Sequence, residues 1–464
     1  MSFSNAISGV NAATSDLNVI SHNIANASTT GFKASTAEFA EVFASSLLGS
    51  GAAATGQGVA LSEIRADFSQ GNIEFTNNAL DLAVSGNGFF VVKGDDGGQE
   101  FSRAGGFRVD REGFLVNAQG QRLQGFQATD TGEITGLLDD LFIDATLIEP
   151  ESTIETTITQ NLDSRDLALR DTPATPTFDP TDPLSYNSST STTIYDSLGN
   201  AHVLNVYYVK EPDVTALPNP AGGAAINAAT GAGAASAYAV YVTVDGESLY
   251  DTGADATIVS DDLPNGYLAF DSNGQLIDGS TLAAPIPALN PLVSTEQYVP
   301  KDENGAPNGA TGGDPATGNQ LQLDLASTTQ FGTDFAVSSI IQDGFGAGQL
   351  IAFEIDPSGI AFARFTNGQS KAIGQVALAS FQNNNGLQPV GSTNFSETFN
   401  SGSPTIGAPG GGGRGNIQSS ALEAANVDIT AELVNLIIAQ RNFQANAQVI
   451  SANDQLTTAI INLR

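Results

Sequence analysis

The feature that most constrains the fold is a heptad pattern found at both ends of a chain of 464 residues. At the N-terminal end, positions spaced alternately four and three apart carry Phe3, Ile7, Val10, Thr14, Leu17, Ser21 and Ile24. This spacing predicts an amphipathic helix over residues 4–27, with Ser2 or Ser4 as its cap. A Ser-Thr-Thr run and Gly31 then end the helical region.

The C-terminal pattern predicts a longer helix, over residues 429–463. Asp428 is its expected N-cap, and Glu432 lies in the first turn, where the helix dipole favours an acid. Its seam consists of Ile429, Leu433, Leu436, Gln440, Phe443, Ala447 and Ile450, and a second seam on a shifted face consists of Val449, Asn453, Leu456, Ile460 and Leu463. Two seams predict contact with more than one neighbour.

The polar positions of both helices are amides and small residues rather than charges. Residues 1–32 contain one acid, Asp16, and no Lys or Arg. A helix that faces water normally mixes Glu and Lys, whereas amides suit close contact with protein, where a charge would have to be desolvated. We therefore predict that protein covers these helices. A coiled coil within one chain and contacts between chains both fit, because heptads alone do not fix the number of strands.

Between the two ends, the hydrophobic period changes to that of β-strands. Residues 80–127 contain apolar runs separated by Gly-rich turns, which predicts successive hairpins. The runs are Phe89–Val92, Phe107–Asp110, Phe114–Val116 and Leu123–Phe126. Strand patterns return at 335–382, where Asp356–Gly359 is a predicted turn.

The central region, 148–330, differs in composition and predicts a separate β-rich unit. The stretch STTIYDSLGNAHVLNVYYVK (191–210) predicts a hairpin with its turn at Asp196–Asn200 and with His202 starting the return strand. An Ala/Gly-rich stretch, 216–241, is predicted to be an inserted loop. A Gly-rich run, 402–417, predicts a flexible connection to the C-terminal helix.

The charge balance and the composition exclude several partners and chemistries. Fifty acidic side chains oppose 16 basic ones, for a net charge of −34, so the chain should repel nucleic acid and anionic membranes. The sequence has no cysteine, which excludes disulfides and thiolate sites. No apolar run is long enough to span a membrane. The start does not resemble a Sec signal peptide, so export would need another route.

No motif for catalysis, a cofactor or a metal is present. The two histidines, His22 and His202, lie far apart in the sequence, and the common nucleophile, zinc-protease and phosphate-loop patterns are absent. The acid-rich stretches 271–279 and 301–314 lack the ligand spacing of a calcium loop. We predict a protein that is not an enzyme and has no cofactor or metal site, with His22 as a polar contact residue. Whether the acidic outer region binds an ion stays open at the level of the sequence.

The stretch SHNIANASTTGFKAS (21–35) resembles the N-terminal signature of bacterial flagellar axial proteins. The matching residues are Asn23, Ile24, Ala25, Asn26, Thr30, Gly31, Phe32 and Lys33. Residues 422–456 resemble the C-terminal signature of that family, and 82–92 resembles the start of the first β-domain of its rod and hook members. The hairpin at 191–210 is most similar to the hook members. The chain departs from the pattern at His22, where relatives often have Asn, and at Phe443, where Tyr is common.

The resemblance implies a structural subunit that polymerises into the flagellar hook, a curved tube that acts as a universal joint between rod and filament. The implied fold is α+β and mostly β, with N- and C-terminal α-helices forming a coiled coil and two nested β-rich domains between them. The implied partners are further copies of the chain in a helical tube, the rod, hook-cap and hook–filament junction proteins, and the flagellar type III export apparatus. The implied location is the extracellular hook.

The resemblance also implies a domain order. Residues 1–27 and 428–464 would form the inner coiled-coil domain, 28–75 and 402–427 the hinge, 76–147 and 331–401 the first β-domain, and 148–330 the outer inserted β-domain. We further predict that both ends are disordered in the monomer and become ordered on polymerisation, because isolated helices of this kind are marginal in water.

Residues expected at subunit contacts belong to the two seams and the two signatures. They are Phe3, Ile7, Val10, Leu17, His22, Asn23, Ile24, Asn26, Gly31, Phe32, Lys33, Leu433, Leu436, Ile437, Gln440, Arg441, Phe443, Ile450, Leu456, Ile460 and Leu463.

Two alternatives stay open at the level of the sequence. A distal-rod or other axial protein would share both ends and the first β-domain, but it should lack the large insertion at 148–330. A secreted, acidic, β-rich adhesin or enzyme would have a formed pocket and would fold without polymerising.

Overall fold

The computed structural model describes residues 3–42, 56–94, 97–129, 132–143, 147–169, 178–212, 217, 234–249, 264–278, 291–302 and 305–462. The chain divides into two compact units. Unit 1 consists of Met1–Ala145, Leu350–Arg364 and Ser370–Arg464, and unit 2 consists of Thr146–Gln349 and Phe365–Gln369. The chain thus leaves unit 1 to build unit 2 and then returns to it.

Two long helices lie at the ends of the chain, as predicted. Helix α1 spans Phe3–Ala25 and helix α2 spans Ile429–Asn462. The side chain of Asp428 accepts hydrogen bonds from the backbone N–H groups of Thr430 (2.8 Å) and Ala431 (3.2 Å). The predicted N-cap is therefore confirmed, because these two donors have no partner within the helix.

The strands follow in chain order. In the first part of unit 1 they are β1 (Ser35–Glu41), β2 (Val59–Ala66), β3 (Ile73–Phe75), β4 (Leu82–Ser85), β5 (Phe89–Lys93), β6 (Gln99–Ser102), β7 (Arg108–Val109), β8 (Leu115–Val116), β9 (Arg122–Ala128) and β10 (Ile134–Asp140). In unit 2 they are β11 (Glu155–Asp163), β12 (Ser188–Tyr195), β13 (Ala201–Lys210), β14 (Ser236–Val244), β15 (Glu247–Ser248), β16 (Gly266–Phe270), β17 (Leu292–Gln297), β18 (Gln320–Asp324), β19 (Thr329–Phe331) and β20 (Ala336–Gln342). Back in unit 1 they are β21 (Leu350–Ile355), β22 (Ile360–Phe365), β23 (Ser370–Val376), β24 (Leu378–Ser380), β25 (Gln388–Gly391), β26 (Asn394–Ser396), β27 (Thr405–Gly407), β28 (Asn416–Ser419) and β29 (Ala421–Glu423).

Unit 1 is built on one large sheet in the order β21-β22-β23-β9-β5-β6-β26-β25. Strand β5 is buried on both faces, so its alternating side chains enter two cores. Phe90 and Val92 pack into one core with Leu123 and Leu378, and Phe89 and Val91 pack into another with Phe101 and Phe395. The predicted strands of the 80–127 region are confirmed, with ends that differ by a few residues.

Short antiparallel pairs connect the two halves of unit 1. Strand β4 pairs with β28, and β3 pairs with β29, while β1 and β2 form a hairpin. The range 402–427, predicted as a hinge, therefore contains paired strands. Most of its glycines lie in the turn between β27 and β28, where Gly410, Gly412 and Gly413 have positive φ. The Gly-rich composition does not distinguish a fixed turn from a flexible linker. The hinge motion expected in this range stays a prediction.

Unit 2 has two mixed or antiparallel sheets. One has the order β17-β18-β11-β19 with β20 beside β11, and the other has the order β12-β13-β14-β15 with β16 beside β14. The predicted turn at Asp196–Asn200 is confirmed by the backbone bond from Asp196 N to Asn200 O (3.1 Å). The prediction of a loop through residue 241 was wrong, because β14 begins at Ser236. Its alanines pack in a core with Tyr241 and Tyr267; the rest of the predicted loop lies almost entirely outside the described residues.

Candidate assembly site

The helices α1 and α2 pack against each other in opposite directions. Asn23 of α1 donates a hydrogen bond to Glu432 of α2 (3.0 Å), whereas Gly9, two heptads earlier, lies against Asn446, two heptads later. A Cβ on Gly9 would lie only 2.6 Å from the side-chain oxygen of Asn446. Small residues at the contact therefore bring the two helices close together.

The buried positions of α1 are shifted by one residue from the predicted seam. Ala6, Ala13 and Ile20 recur every seven residues and are buried, as is Ala439 of α2. The predicted seam residues Phe3 and Ile7 are instead 52 % and 39 % exposed. The shift has a simple cause: alanine and glycine carry little hydrophobic signal, yet they are the residues that allow close approach.

The other residues expected at subunit contacts fall into three classes of exposure. Those exposed are His22, Leu433, Ile437, Gln440, Arg441, Phe443 and Leu456; those half-buried are Val10, Leu17, Ile24, Asn26, Leu436 and Ile450; and those buried are Asn23, Gly31, Phe32 and Lys33. The side chain of Ile460 and the whole of Leu463 lie outside the described residues. The buried class comes from the N-terminal signature, and its members meet at one place.

The amide of Asn23 fixes the end of α1 to its surroundings. Its oxygen accepts a hydrogen bond from Ser35 N (2.9 Å), and its nitrogen donates to Ser35 O (2.8 Å) and to Glu432. The residue is 1 % exposed. One buried side chain thus connects α1, the start of β1 and the first turn of α2.

Gly31 allows the chain to pass close to a neighbouring loop. Its φ is +70°, and an added Cβ would lie 2.3 Å from the backbone nitrogen of Ala104. Its own N–H donates to the carbonyl of Glu423 (2.8 Å). A side chain here would be strained by the backbone conformation and would also collide with Ala104.

Glu423 stands at the centre of a buried ion cluster. Its Oε1 lies 2.6 Å from Lys33 Nζ, and its Oε2 lies 3.1 Å from Arg103 Nη1. The side chains of Lys33 and Glu423 are fully buried, and that of Arg103 is 3 % exposed. The backbone N–H of Gly71 also donates to Oε1 (2.8 Å). The carboxylate therefore receives hydrogen bonds from three separate segments of the chain.

The two cations have further partners that disperse their charge. Lys33 Nζ donates to the carbonyl of Ser69 (2.7 Å), and Arg103 Nη2 donates to that of Gly86 (2.8 Å). Burial lowers the pKa of both Lys33 and Arg103, and contact with Glu423 opposes this effect. Loss of Glu423 would leave two buried cations without a counter-charge, which is costly in a protein interior.

Asn426 completes the connection between the two ends. Its side-chain oxygen accepts from Ala34 N (2.7 Å), and its nitrogen donates to Asp67 O (2.8 Å). We name the set Asn23, Lys33, Arg103, Glu423 and Asn426 the terminal junction. It joins the N-terminal signature, the loop after β6 and the segment that leads into α2.

Three members of the terminal junction were missed by sequence reasoning, namely Arg103, Glu423 and Asn426. A signal for a partner did exist, because Lys33 follows a stretch of 32 residues that has no other Lys or Arg. A lone cation next to a buried Phe and Gly needs a counter-charge. Nothing in the local pattern, however, could say which of 50 acids supplies it.

In unit 2 the second histidine lies between two carboxylates. His202 Nδ1 is 2.7 Å from Asp245 Oδ2, and Nε2 is 3.2 Å from Asp196 Oδ2. Burial would raise the pKa of Asp196, but hydrogen bonds from Asn200, Asn308 and His202 outweigh it, so that its pKa is lowered. The cluster therefore holds a strand end and two turns together. Among the described residues, no group of His, Cys, Asp and Glu side chains is suited to hold a metal ion.

Both ends and the region between them match known families. Residues 3–33 match the family described as "Flagella basal body rod protein", and 418–463 match "Flagellar basal body rod FlgEFG protein C-terminal". Residues 83–162 match "Flagellar hook protein FlgE/F/G D1 domain", and 161–345 match "Flagellar basal body protein FlaE D2 domain". The last match covers most of the insertion that a rod subunit was expected to lack.

Relatives that align with the whole chain distinguish the hook proteins from the other proteins of this group. The chain is 35 % identical to flagellar hook protein FlgE of Escherichia coli strain K12, over 100 % of both chains. The chain belongs to the flagellar hook protein family. It is also 34 % identical to FlgE of Salmonella typhimurium, over 100 % of both chains, and 32 % identical to FlgE of Borreliella burgdorferi, over 99 % of this chain and 98 % of that one. This hook protein family is a family of structural proteins of the flagellum.

A likeness to a solved structure is weaker. The structure of Helicobacter pylori flagellar hook protein FlgE2 aligns with 75 % of this chain and 100 % of its own, at a TM-score of 0.48 and 14 % identity. Among the described residues, neither helix is apolar enough over its length to cross a membrane.

Proposed function

We propose that this hook-family chain polymerises through its paired terminal helices into the curved tube that transmits torque from rod to filament. The supporting observation is the outer surface of the helix pair. Leu433, Val434, Ile437 and Ile438 of α2 are about half exposed, next to one another on the helix. A contiguous apolar surface of this kind marks a protein interface, and its few charges suit burial by neighbouring subunits.

The proposal includes the finer architecture that the family resemblance implies. The helix pair is a coiled coil that lines the tube, and two nested β-rich domains lie outside it in the order 76–147 with 331–401, and then 148–330. Subunits contact rod, hook-cap and hook–filament junction proteins at the ends of the tube. The chain is exported by the flagellar type III apparatus to the extracellular hook. It has no catalytic role.

Electron microscopy of the concentrated, purified chain tests the proposal. We expect curved tubes. Straight rods would favour a rod subunit, and the absence of any polymer would contradict assembly through this chain alone. A repeated head-to-tail contact that does not close into a ring gives an open helical polymer.

A pair of variants locates the interface. Leu433→Ser with Ile437→Ser should abolish tubes while the circular dichroism of the β-rich units is unchanged. The matched control is Leu184→Ser, a side chain of unit 2 that is 80 % exposed and should leave assembly intact. Tubes formed by the double variant would rule out the proposed role of α2.

We also propose that the ranges 28–75 and 402–417 are hinges that absorb changes in subunit spacing as the joint turns. Prolines restrict φ and would stiffen either range. Hooks assembled from such variants should differ in curvature, and the cells should swim poorly. Normal curvature and motility with prolines in both ranges would contradict the hinge.

A further inference from the structure

A fully exposed phenylalanine projects from unit 1. Phe399, in the loop after β26, is 100 % exposed. Single exposed apolar residues are common, but the ring of Phe399 has no cover at all, and its loop is well fixed. A large apolar side chain on a rigid loop is the kind of anchor that fills a pocket on a partner.

The loop is fixed by hydrogen bonds on both sides of Phe399. Thr398 N donates to Ser401 Oγ (2.9 Å), and Asn400 N donates to Thr398 Oγ1 (3.1 Å). Asn383 in turn donates to the carbonyl of Asn400 (3.1 Å), and Ser401 is 1 % exposed. The loop is thus preorganised, which reduces the entropy that its binding would cost.

A cavity of about 640 Å³ opens in the same unit beside the N-terminal signature. Its walls come from the end of α1 with the chain that follows it, from the turn after β8, and from the β25–β26 hairpin. Residues that define it are His22, Thr30, Phe32, Ala118, Ser392 and Phe395. Among the residues that the structure describes, no carboxylate lines it, although acids outnumber bases 50 to 16 in the chain.

The β25–β26 hairpin forms one wall of the cavity. Ser392 and Thr393 both have positive φ, +52° and +62°, as the two central residues of a two-residue hairpin turn require. Asn394 is 3 % exposed, and its side-chain oxygen has no hydrogen-bond partner among the described residues. A buried acceptor without a partner is explained by an ordered water or by a ligand.

We propose that this cavity receives the Phe399 loop of a second copy of the same chain. This inference rests on the proposed function, because it names one contact of the polymer. The cavity and the loop lie on one chain, and Phe399 is fully exposed, so the chain does not fill its own cavity. A contact between two different surfaces of identical chains extends into an open helical polymer when its rotation does not close a ring.

The absence of carboxylates from the described lining removes a charge repulsion that would oppose a second copy as the occupant. Two chains of net charge −34 repel each other, so contacts should form where carboxylates are absent. The loop has one acid, Glu397, which is exposed. The exposed ring of His22 stands at the cavity and can donate a hydrogen bond to that carboxylate in the docked pair.

Cysteine cross-linking tests the contact directly, because the chain has no cysteine. Phe399→Cys combined with Ala118→Cys should give, on oxidation of assembled polymer, a ladder of disulfide-linked multimers. Leu137→Cys with Ala118→Cys is the control, since Leu137 is 65 % exposed in the same unit; it should give no ladder. A polymer of the Phe399 pair that yields no ladder would overturn the proposal.

A second variant keeps the test decisive if the cysteine pair fails to assemble. Phe399→Ser should raise the critical concentration for polymerisation roughly tenfold or more, as loss of an anchor residue does, with unchanged circular dichroism. Leu167→Ser, at a side chain 79 % exposed, should change it little. If the wild-type chain forms no tube, the proposed function fails; if Phe399→Ser assembles like the wild type, only the docking contact fails.

Discussion

Lys33 and Glu423 form a fully buried ion pair, with Nζ and Oε1 2.6 Å apart, although 390 positions separate them in the chain. Arg103 shares the same carboxylate. The pair places the N-terminal signature and the segment before α2 in fixed register. The strength of this link can be measured against an exposed ion pair of the same length.

Glu423→Gln should destabilise unit 1 strongly. The change leaves two buried cations without a counter-charge, which costs about 3–5 kcal/mol for a buried pair that loses one partner. Urea unfolding of the dilute chain measures the effect. The control is Glu38→Gln, because Glu38 also lies 2.6 Å from a cation, Arg65, but both side chains are about half exposed; it should cost about 0–1 kcal/mol. Equal effects of the two variants would contradict the role of the cluster.

Gly31→Ala should cost more than the same change at a glycine of similar backbone conformation. Gly31 and Gly97 have φ of +70° and +81°, but a Cβ on Gly97 meets nothing within 4 Å. Both variants bear the left-handed strain of about 1–2 kcal/mol, and only Gly31→Ala adds the collision with Ala104. Thermal unfolding of both variants compares them. If the Gly31→Ala variant were as stable as Gly97→Ala, the loop that contains Ala104 would have to move away from the added Cβ, and the predicted collision would be refuted.

Limited proteolysis of dilute monomer should trim both ends and then stop at the terminal junction. The outer parts of α1 and α2 have large exposed apolar side chains and few charges, so they gain little from packing as a single pair. From Asn23 and Glu432 inwards, buried hydrogen bonds hold the chain. Mass spectrometry should therefore find cuts before residue 23 and after 432. If protease left both ends intact in a strict monomer, the prediction that the ends become ordered only on polymerisation would be contradicted.

Asp16→Asn should strengthen the α1–α2 contact at neutral pH. Burial, and second the nearby carboxylate of Glu432, raise the pKa of Asp16. A carboxyl with a raised pKa in the packed state is destabilising when ionised, so the packed state gains stability as pH falls below that raised pKa and loses it as pH rises through it. The variant removes this penalty. Its critical concentration for polymerisation at pH 7 should fall, and less so in a Glu432→Gln background. An unchanged value would contradict the coupling.

The two histidines should respond differently to the same substitution. His202→Gln removes contacts with Asp196 and Asp245 in a buried site and should cost unit 2 about 1–3 kcal/mol. The lowered pKa of Asp196 means that its contribution is present above its ordinary pKa and is lost as pH falls. His22→Gln, on an exposed side chain, should leave the unfolding temperature unchanged. Differential scanning calorimetry of the full chain distinguishes the two outcomes, and equal temperatures would refute the difference.

Local pattern was enough to predict the helices, the Asp428 cap and the hairpins, because each depends on neighbours in sequence. It failed where the signal was small side chains. The predicted seam of α1 lies one position from the buried Ala6 and Ala13, because it follows larger residues, and the alanine-rich composition at the start of β14 predicts a loop rather than a strand. The terminal junction was out of reach for another reason: its ion pairs depend on how distant segments cross, which hydrophobic period and turn chemistry do not specify.

The terminal junction can form only after the chain has been synthesised as far as Glu423 and Asn426. A chain made from its N-terminus has Lys33 and Arg103 long before it has their counter-charge. Until residues 423–426 have been synthesised, no counter-charge offsets the cost of burying these two cations. Helix α1 also has no partner helix fixed in place beside it. A chain cut short before Glu423 would therefore keep the N-terminal signature open, and only a finished subunit can present the register that assembly requires.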